Sequence, residues 1–427
     1  MMMKNRLFTT TCFSLILLFT FCNGQKQGNG SLVSINIEAN MKKMEVINLS
    51  KFTDNIRYVP LDNTNNLLIG ATVEPAFSQN LILVNGINSC LLFDNEGHFI
   101  TNIGKKGRGP GEYQYGDIIG FSKDKNVFIK NLFDLFEYEI NGSFIKKYTR
   151  SFLINNEYYL YTVFLVNDSL FLGHVHNSKG QSKYKALLVN KYGNVKRYYN
   201  NYILFNRERE VVSGFEGHAD IYKFKNEVYY KEFYNDTLFS LSDQYQLNPR
   251  FAFNLGKFKE PVSERAKIPL TDMMRYLYIW NAFQTEKYLF LKCQLGYHFP
   301  AKRLTPKPPM MAGGKPGLYN TINALGIYNK KTGELVFSKP TDTDNPLYTS
   351  GLYNDIDGGP RFFPNKMVND STMMMYINVK ELKDHVASDD FKNNTPKYPD
   401  KKRKLEKLAT SLSVFDNPVL MLVTFKK

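Results

Sequence analysis

Five charged residues beside glycine-rich runs are the side chains of this sequence best suited to contact a ligand. They are Arg108, Glu112, Asp355, Asp357 and Arg361. Guanidinium and carboxylate groups form charge-assisted hydrogen bonds, which are stronger than neutral ones. The glycines around them indicate connecting segments, where binding residues concentrate. We therefore predict that these five residues bind a ligand, and we predict no catalytic residue.

The run IGKKGRGPGEY, from Ile103 to Tyr113, has some features of a phosphate-binding loop. Such a loop needs the pattern G-x-x-x-x-G-K-[ST] and a helix directly after it. Here Pro110 opposes the helix, and neither Lys-Ser nor Lys-Thr follows. The run is better explained as a tight crossover between two β units.

Metal ligands are sparse in this sequence. His174 and His176 would project from the same face of a strand, but a catalytic zinc site needs a third ligand and none is near in sequence. Asp355 and Asp357 offer oxygen ligands, although the loop lacks the closing Glu of an EF-hand. We predict no metal site and no cofactor, with calcium as the one cation that this loop could bind. The alternative is a turn in which the aspartates accept backbone hydrogen bonds.

Residues for covalent catalysis are also sparse. The G-x-S-x-G pattern of a nucleophile elbow does not occur. Only Cys90 and Cys293 lie beyond the first 22 residues, which excludes a multi-cysteine zinc site and a disulfide scaffold. Both stand in apolar stretches, so we predict that both are buried.

The first 24 residues have the features of a secretory signal. Lys4 and Arg6 precede the apolar run FSLILLFTF, which is shorter than the roughly 20 residues that span a membrane. Cys22 follows at the place of the lipid-bearing cysteine of bacterial lipoproteins, although Phe21 stands where a small residue is usual. We predict export with lipidation at Cys22. Cleavage after Gly24, without a lipid, is the alternative.

A hairpin pattern recurs along the chain. An apolar segment, a polar turn with glycine and a second apolar segment are centred on Gly97, Gly142, Gly193 and Gly333. Glycine tolerates the positive φ that a tight hairpin requires. The first three glycines are 45 and 51 residues apart. A period of about 40 to 50 residues with several short strands per unit predicts a β-propeller.

Six such units fit the chain, so the predicted fold is all-β, a six-bladed β-propeller. The last unit is one strand short, and the strand from Asn55 to Leu61 could supply it. Pairing this N-terminal strand into the last blade closes the ring and removes exposed edges. The predicted organisation is a signal peptide over 1–24, a tether over 25–44 and the propeller over 45–427. The propeller carries an insertion over 299–316 and a short basic helix at about 401–412.

The run from Ile103 to Tyr113 resembles the G-x-G-P-G-E-[FY] joint of six-bladed propeller lipoproteins of Bacteroidetes, which are relatives of NHL-repeat propellers. Two further stretches are similar to that family, namely NDIDGGP from Asn354 and DNPVL from Asp416. The resemblance implies a propeller that is exported and often lipid-anchored. It implies no catalytic residues, since the family's activity is largely unassigned.

The formal net charge is +15, with 55 Lys and Arg against 40 Asp and Glu. Such a charge would suit nucleic acid, but an exported protein meets little of it. Part of the charge falls on the segment from Lys401 to Lys407, where Leu405 and Leu408 give the pattern of a short amphipathic helix. We predict no nucleic-acid partner, and a membrane contact only through the lipid anchor.

These observations predict a binding or scaffold module of the cell envelope, in the periplasm or at the cell surface. Its partner would be an envelope protein, a peptide or a glycan. The alternative is a hydrolase or lyase whose active site, at the channel mouth, uses carboxylates or a divalent metal. An enzyme should bring titratable side chains with displaced pKa values together in the channel. A binding module should present an aromatic or charged platform without that convergence.

Overall fold

The computed structural model describes residues 31–63, 67–69, 74–207, 218–265, 275–298, 305–307, 317–319, 323–340 and 351–426. These residues form six small sheets of four or five strands, and the sheets are the blades of a β-propeller. The predicted fold, including the number of blades, is confirmed. Cys22 and most of the insertion predicted over 299–316 lie outside the described residues.

Blades 1, 2 and 3 follow one another along the chain. Blade 1 consists of β4 (Ala76–Ser78), β5 (Leu81–Asn85), β6 (Cys90–Asp94) and β7 (Phe99–Ile103). Blade 2 consists of β8 (Asp117–Phe121), β9 (Val127–Asn131), β10 (Asp134–Tyr138) and β11 (Phe144–Tyr148). Blade 3 consists of β12 (Leu153–Ile154), β13 (Tyr158–Asn167), β14 (Leu170–Val175), β15 (Tyr184–Asn190) and β16 (Val195–Asn200).

Blades 4, 5 and 6 also take strands from the N-terminal part of the chain. Blade 4 consists of β17 (Ala219–Phe224), β18 (Glu227–Glu232), β19 (Thr237–Leu241), β20 (Leu247–Asn254) and β1 (Val33–Asn36). Blade 5 consists of β21 (Tyr278–Gln284), β22 (Tyr288–Gln294), β25 (Asn323–Asn329), β26 (Leu335–Ser338) and β2 (Met44–Glu45). Blade 6 consists of β27 (Lys366–Met367), β28 (Thr372–Ile377), β29 (Val419–Thr424) and β3 (Asn55–Pro60). A separate hairpin, β23 (Thr305–Lys307) and β24 (Gly317–Tyr319), lies between β22 and β25.

The central channel is lined by one strand from each blade. Neighbouring blades contact each other through these innermost strands from blade 1 to blade 5. Blade 6 presents β27 in the same place in its sheet order. The innermost strands are β4, β8, β13, β17, β21 and β27.

The ring closes through the pairing of β3 with β29. The two strands are antiparallel, with Val419 opposite Pro60 and Thr424 opposite Asn55. The closure predicted from the N-terminal strand is therefore confirmed. Asp54, just before β3, adds ion pairs of 2.8 Å to Lys397 and 2.8 Å to Lys426, which join the two ends of the chain.

Part of the range predicted as a tether is folded onto the ring. The predicted tether covered residues 25–44, but within it β1 pairs in parallel with β20, and β2 begins at Met44 beside β26. Ile35 and Ile37 are almost completely buried there. Burial of these apolar side chains explains why the segment packs on the blades instead of extending into solvent.

The repeated glycines allow the blades to approach one another closely. Gly97 has a φ of 93° and Gly142 a φ of 90°, a region that side chains disfavour. A methyl group on Gly97 would overlap the carbonyl oxygen of Pro60 in β3, and one on Gly142 would overlap that of Asn102 in β7. These two hairpin turns therefore touch the backbone of the outer strand of the preceding blade.

The apolar core lies between the blades. One group of buried side chains joins blades 6 and 1, with Val59, Phe93 and Leu420 among its members, and others join each following pair. A larger group spans blades 4 to 6 and the helices. Removing this apolar surface from water, at about 25 cal/mol per Å², holds neighbouring blades together.

The helices lie outside the strands of the ring. They are α1 (Ile37–Asn40), α2 (Val262–Arg265), α3 (Val379–Ala387), α4 (Asp389–Asn393) and α5 (Pro399–Ser411). The sequence predicted a basic helix at about 401–412, where α5 is found, but it did not predict α3 and α4. Leu382, Phe391 and Leu405 bury the apolar sides of α3, α4 and α5 in the core of blades 4 to 6. None of the helices in the described part of the chain is long and apolar enough to cross a bilayer.

Candidate functional site

One end of the channel is the end at which the innermost strands begin, and we call it the channel mouth. Because repeated blades put equivalent strand ends on the same face of a propeller, side chains from all six blades converge there. They carry both signs of charge and include four aromatic or imidazole rings. The members of this channel-mouth cluster are Glu74, Asp117, Lys130, Tyr159, Tyr161, His176, His218, Asp220, Lys292 and Lys366.

The cluster is electrostatically connected across the channel. The Glu74 carboxylate, which precedes the innermost strand of blade 1, acts on His218 and Asp220 of blade 4 and on Lys366 of blade 6. Asp117 of blade 2 likewise acts on His218. Such interactions weaken with distance, so these groups of blades 1, 2, 4 and 6 face a common opening.

Two members of the cluster neutralise each other. Lys130 Nζ lies 2.8 Å from Asp117 Oδ2 and donates a hydrogen bond of 3.3 Å to Tyr159 OH. The same ammonium lies 5.3 Å from the ring centre of Tyr159 and 5.6 Å from that of Tyr161. The Lys130 side chain is only 3% exposed. Its charge is satisfied by the protein, so its role is to hold the two tyrosines in place.

Four rings from blades 3 and 4 form one side of the mouth, which we call the aromatic wall. The ring centre of Tyr161 lies 5.9 Å from that of Tyr159, 5.8 Å from that of His176 and 5.3 Å from that of His218. Burial lowers the pKa of His218, opposed by the carboxylates of Glu74 and Asp117. A neutral imidazole at pH 7 keeps this wall uncharged, which suits contact with a flat or apolar group.

Four further charged residues, Glu74, Asp220, Lys292 and Lys366, lack such partners, and we call them the open charge set. Among the described residues, no ion pair or hydrogen bond engages Glu74 Oε, Lys292 Nζ or Lys366 Nζ. Asp220 accepts from Asn281, but its Oδ2 atom is buried and has no hydrogen-bond partner within the same residues. Buried polar groups without partners are rare in folded proteins, so Asp220 Oδ2 calls for a ligand, an ion or water. Lys292 and Lys366 are half-buried beside it, and Glu74 is exposed.

The pKa values of Asp220, Lys292 and Lys366 reflect the burial of these three groups. Burial raises the pKa of Asp220 to about 6, against the opposing effect of Lys292. Burial lowers the pKa of Lys292 to about 8, and it lowers the pKa of Lys366 as well. At pH 7 Asp220 is mostly ionised and Lys292 is mostly protonated, so the mouth holds both signs of charge.

The ionised form of Asp220 acts against folding. Its pKa is about 6 in the folded chain and 3.8 when unperturbed, so the folded state binds this proton more tightly than the unfolded state does. The stability that this proton provides is present below pH 3.8 and is lost as the pH rises through 6. A carboxylate kept at such a cost is typical of a functional site rather than of a structural contact.

A cleft between blades 3 and 4 opens beside the mouth. Its cavity volume is about 50 Å³, which is room for a few water molecules. His218 belongs both to the aromatic wall and to the lining of this cleft, while Phe205, Phe233 and Tyr234 supply apolar lining. A second cleft, with a cavity volume of about 170 Å³, reaches Asp117 between blades 1 and 2. A ligand seated at the mouth could therefore extend into either cleft.

The glycine-rich run is a crossover from β7 to β8. Tyr113 OH donates 2.7 Å to the Ile103 carbonyl and accepts 2.7 Å from the Cys90 amide, which fixes the crossover to blade 1. The Glu112 carboxylate accepts 2.8 Å from the Gly109 amide and pairs at 2.9 Å with Lys105, which lowers the pKa of Glu112. Arg108 is exposed. Neither Arg108 nor Glu112 belongs to the channel-mouth cluster, so their ligand-binding role stays a prediction.

Hydrogen-bond donors of the protein occupy the carboxylates of the acidic loop before β27. Asp355 accepts from the Ser50 amide at 2.9 Å and from Ser50 Oγ at 2.6 Å. Asp357, 1% exposed, accepts from Tyr58 OH at 3.2 Å, from Asn354 Nδ2 at 2.7 Å and from the Gly359 amide at 2.9 Å. These contacts describe a structural loop, and calcium binding there stays a prediction.

Arg361 differs from the two aspartates of its loop. Its guanidinium lies 5.2 Å from the ring centre of Tyr353, and its buried Nη1 atom has no hydrogen-bond partner among the described residues. Two residues later, the Phe363 ring lies 5.1 Å from Lys292 Nζ. Of the five sequence-predicted residues, Arg361 therefore belongs to the segment that packs against the open charge set.

The predicted histidine pair is divided between two environments. His174 Nδ1 lies 2.7 Å from Tyr230 OH, whereas His176 belongs to the aromatic wall. No group of three or more His, Cys, Asp or Glu side chains in the described part of the chain could hold a metal ion. Cys90 and Cys293 are both buried and free, as predicted, and burial raises the pKa of each thiol to about 12.

The sequence reasoning missed the open charge set. Asp220 and Lys292 stand alone among apolar neighbours in strands that otherwise read as buried. Charged residues are rarely buried without a partner, so an isolated charge in an inner strand was the available signal. It becomes informative only after the blades have been aligned, since the alignment shows which strand of each blade is innermost.

Sequence comparison gives one family match. A family described as "Domain of unknown function (DUF4934)" matches residues 32–424. No curated protein matches the chain.

Two solved structures from Bacteroides are similar to this chain. A Bacteroides fragilis protein, provisionally named an exported protein, has a TM-score of 0.64 and 16% identity over 93% of this chain and 100% of that one. A member of the duf4221 family from Bacteroides vulgatus has a TM-score of 0.49 and 12% identity over 90% of this chain and 99% of that one. At 16% identity the likeness to the Bacteroides fragilis protein shows the fold alone.

Proposed function

The chain belongs to the DUF4934 family, and we propose that it is an exported six-bladed propeller that binds a small polar ligand at its channel mouth. One observation carries the proposal. The open charge set places carboxylates and ammonium groups from four blades around one opening, and they do not pair with one another among the described residues. A ligand would supply the missing partners and bridge the blades.

Several properties of the mouth support binding. The aromatic wall offers ring faces on one side, and Tyr161 is 37% exposed. Charged groups on the other side fix the orientation of a polar ligand, as in most small-molecule sites. The rigid ring holds these groups in place before the ligand arrives, which reduces the entropy lost on binding.

A panel of chemically distinct probes tests this function. The probes are galacturonic acid, lactose, alanyl-phenylalanine, spermidine and inorganic phosphate, each added to the chain from residue 25 onward and followed by saturation-transfer NMR. We expect at least one probe to bind, and Tyr161→Ala to weaken its binding about fivefold, since aromatic contacts contribute on the order of 1 kcal/mol each. Tyr202→Ala, at a tyrosine that is 85% exposed and outside the cluster, is the matched control. Binding that is equally sensitive to both changes would place the ligand elsewhere.

A catalytic role is the second candidate. The displaced pKa values of Asp220, Lys292 and Lys366 in one channel meet the criterion for an enzyme that was set out from the sequence. Binding is nevertheless ranked first, because no residue of the mouth in the described part of the chain forms a nucleophile–base hydrogen bond, and a hydrolase or lyase would have to use these groups without one. Chemical change of a bound probe, stopped by Asp220→Asn, would replace the binding assignment with the catalytic one.

Export and anchoring complete the proposal. The apolar run before Cys22 supports export, and so does the provisional name of the Bacteroides fragilis protein. Lipidation at Cys22 would keep the propeller at the membrane surface of the periplasm or the cell exterior. We expect radiolabelled palmitate to enter the full-length chain and the Cys12→Ser control, but not Cys22→Ser. An unlabelled mature chain beginning at Gln25 would instead support simple secretion.

A further inference from the structure

The charges left open at the mouth are balanced. Asp117 and Lys130 neutralise each other at 2.8 Å. The open charge set then contributes two carboxylates, Glu74 and Asp220, and two ammonium groups, Lys292 and Lys366. Among the described residues of the mouth the remaining charges sum to zero, so this part of the mouth does not select an anion or a cation by net charge.

A ligand with a single charge would be poorly matched to this set. An anion that approached Lys366 would also meet the field of Glu74 and Asp220, which both act on that lysine. A cation at Asp220 would in turn meet the fields of Lys292 and Lys366. A ligand that carries both charges, a few ångströms apart, can interact with carboxylates and ammonium groups of the mouth at once, and such complementarity is what gives charged sites their specificity.

The rest of the mouth suits the substituent of such a ligand. Tyr161 and His218 lie beside the charges, with ring centres 5.3 Å apart. Beyond His218, the open cleft between blades 3 and 4 has an apolar part that includes Phe205 and Phe233, beside the charged residues Lys185, Glu232 and Arg265. An apolar or aromatic side chain could leave the charged mouth at His218 and enter this cleft.

We propose that the ligand is a zwitterion of the amino-acid type, a free amino acid or a short peptide with both termini uncapped. Its ammonium group lies between Glu74 and Asp220, its carboxylate is bound by Lys292 and Lys366, and its side chain points past His218 into the cleft. This assignment rests on the proposed function, because it names the ligand class of the same site.

Capped and uncapped forms of one dipeptide test the assignment. Alanyl-phenylalanine, its N-acetyl form, its amide and the doubly capped form are titrated calorimetrically into the chain from residue 25 onward at pH 7. This pH lies between the pKa of about 6 of Asp220 and that of about 8 of Lys292, so both groups are charged. We expect each cap to weaken binding at least tenfold, since each removes one charge that the mouth recognises.

Charge variants connect each terminus to its residues. Asp220→Asn should weaken the uncapped dipeptide at least tenfold but change the binding of the N-acetyl form less than twofold. Lys366→Met should also weaken binding of the uncapped dipeptide at least tenfold, but it should change the binding of the amide form less than twofold. The folds should persist, because each change removes an incompletely paired charge from an enclosed site; a thermal melt of each variant verifies this. Asp243→Asn and Lys331→Met, at exposed positions in outer hairpins, are the matched controls.

The outcomes separate the two levels of the proposal. If the doubly capped dipeptide binds as well as the uncapped one, or if the charge variants do not discriminate between the forms, the zwitterion assignment is wrong. If galacturonic acid or lactose binds in a manner sensitive to Tyr161→Ala while no dipeptide binds, the ligand is a saccharide and the proposed function stands. If no probe binds at the mouth, the proposed function itself fails.

Discussion

Replacing Gly97 by alanine is expected to lower the free energy of unfolding by about 3 kcal/mol. Two effects add at this position. A residue with a side chain is strained at a φ of 93°, and the added methyl group would overlap the Pro60 carbonyl oxygen in β3. Because β3 is the strand that closes the ring, the clash would push blade 1 away from blade 6. Urea denaturation followed by tyrosine fluorescence or circular dichroism measures the loss.

Gly333→Ala is the matched control for this prediction. Gly333 occupies the equivalent hairpin turn of blade 5 with a φ of 75°, but a methyl group there would meet only Tyr328 OH, at 3.9 Å. Gly333→Ala should lower the free energy of unfolding by about 1 kcal/mol, the cost of the backbone conformation alone. Equal losses at the two positions would show that the contact between blades contributes nothing. Gly142→Ala should resemble Gly97→Ala, since it meets the Asn102 carbonyl in the same way.

Replacing Glu260 by glutamine is the second change with a large expected effect, a loss of about 3 kcal/mol in the free energy of unfolding. Glu260 and Arg265 are 5% and 4% exposed, and Arg265 Nε lies 2.8 Å from Glu260 Oε2. The guanidinium also lies 4.3 Å from the ring centre of Tyr234. Without the carboxylate, a buried positive charge would be left without its counter-ion. The midpoint of urea denaturation reports the loss.

A double variant distinguishes the loss of a charge pair from a loss of packing. Glu260→Leu combined with Arg265→Met removes both charges and keeps much of the side-chain volume. We expect this chain to be more stable than Glu260→Gln alone, because replacing a whole buried ion pair with apolar groups is often neutral. A double variant that is the less stable of the two would contradict the argument from uncompensated charge.

The fold could be predicted because its signals are local and repeated. Several hairpins carry a glycine where the turn requires positive φ, and Gly97, Gly142 and Gly193 give a period that only a few folds share. The last unit is one strand short, and the strand at Asn55 could supply it, so the closure of the ring could also be predicted. Where the signal was weaker, the prediction failed. Val379 and Leu382, three residues apart in α3, form a short apolar stripe that was overlooked.

The candidate site could not be predicted in the same way. Its open charges are spread from Glu74 to Lys366, and each is an ordinary residue in its own segment. Their relation is created only when the ring closes and brings the inner strands together. Asp355 and Asp357 drew attention because of their glycine-rich context, but that context serves a loop held by Ser50, Tyr58 and Asn354. The glycine-rich runs therefore identified connecting segments between blades, but they did not identify the charged residues at the channel mouth.

The attachment of β1 and β2 to blades 4 and 5 determines how the ring would carry mechanical load. A pull on the chain from the direction of residue 32 first reaches the four residue pairs between β1 and β20, and then the two between β2 and β26. Only after both have detached does tension reach β3, whose pairing with β29 keeps the ring closed. The pairings of β1 and β2 would therefore break one after the other before the pairing of β3 with β29 is loaded. If the N-terminus is anchored, they would protect the ring closure from force that is transmitted from the membrane.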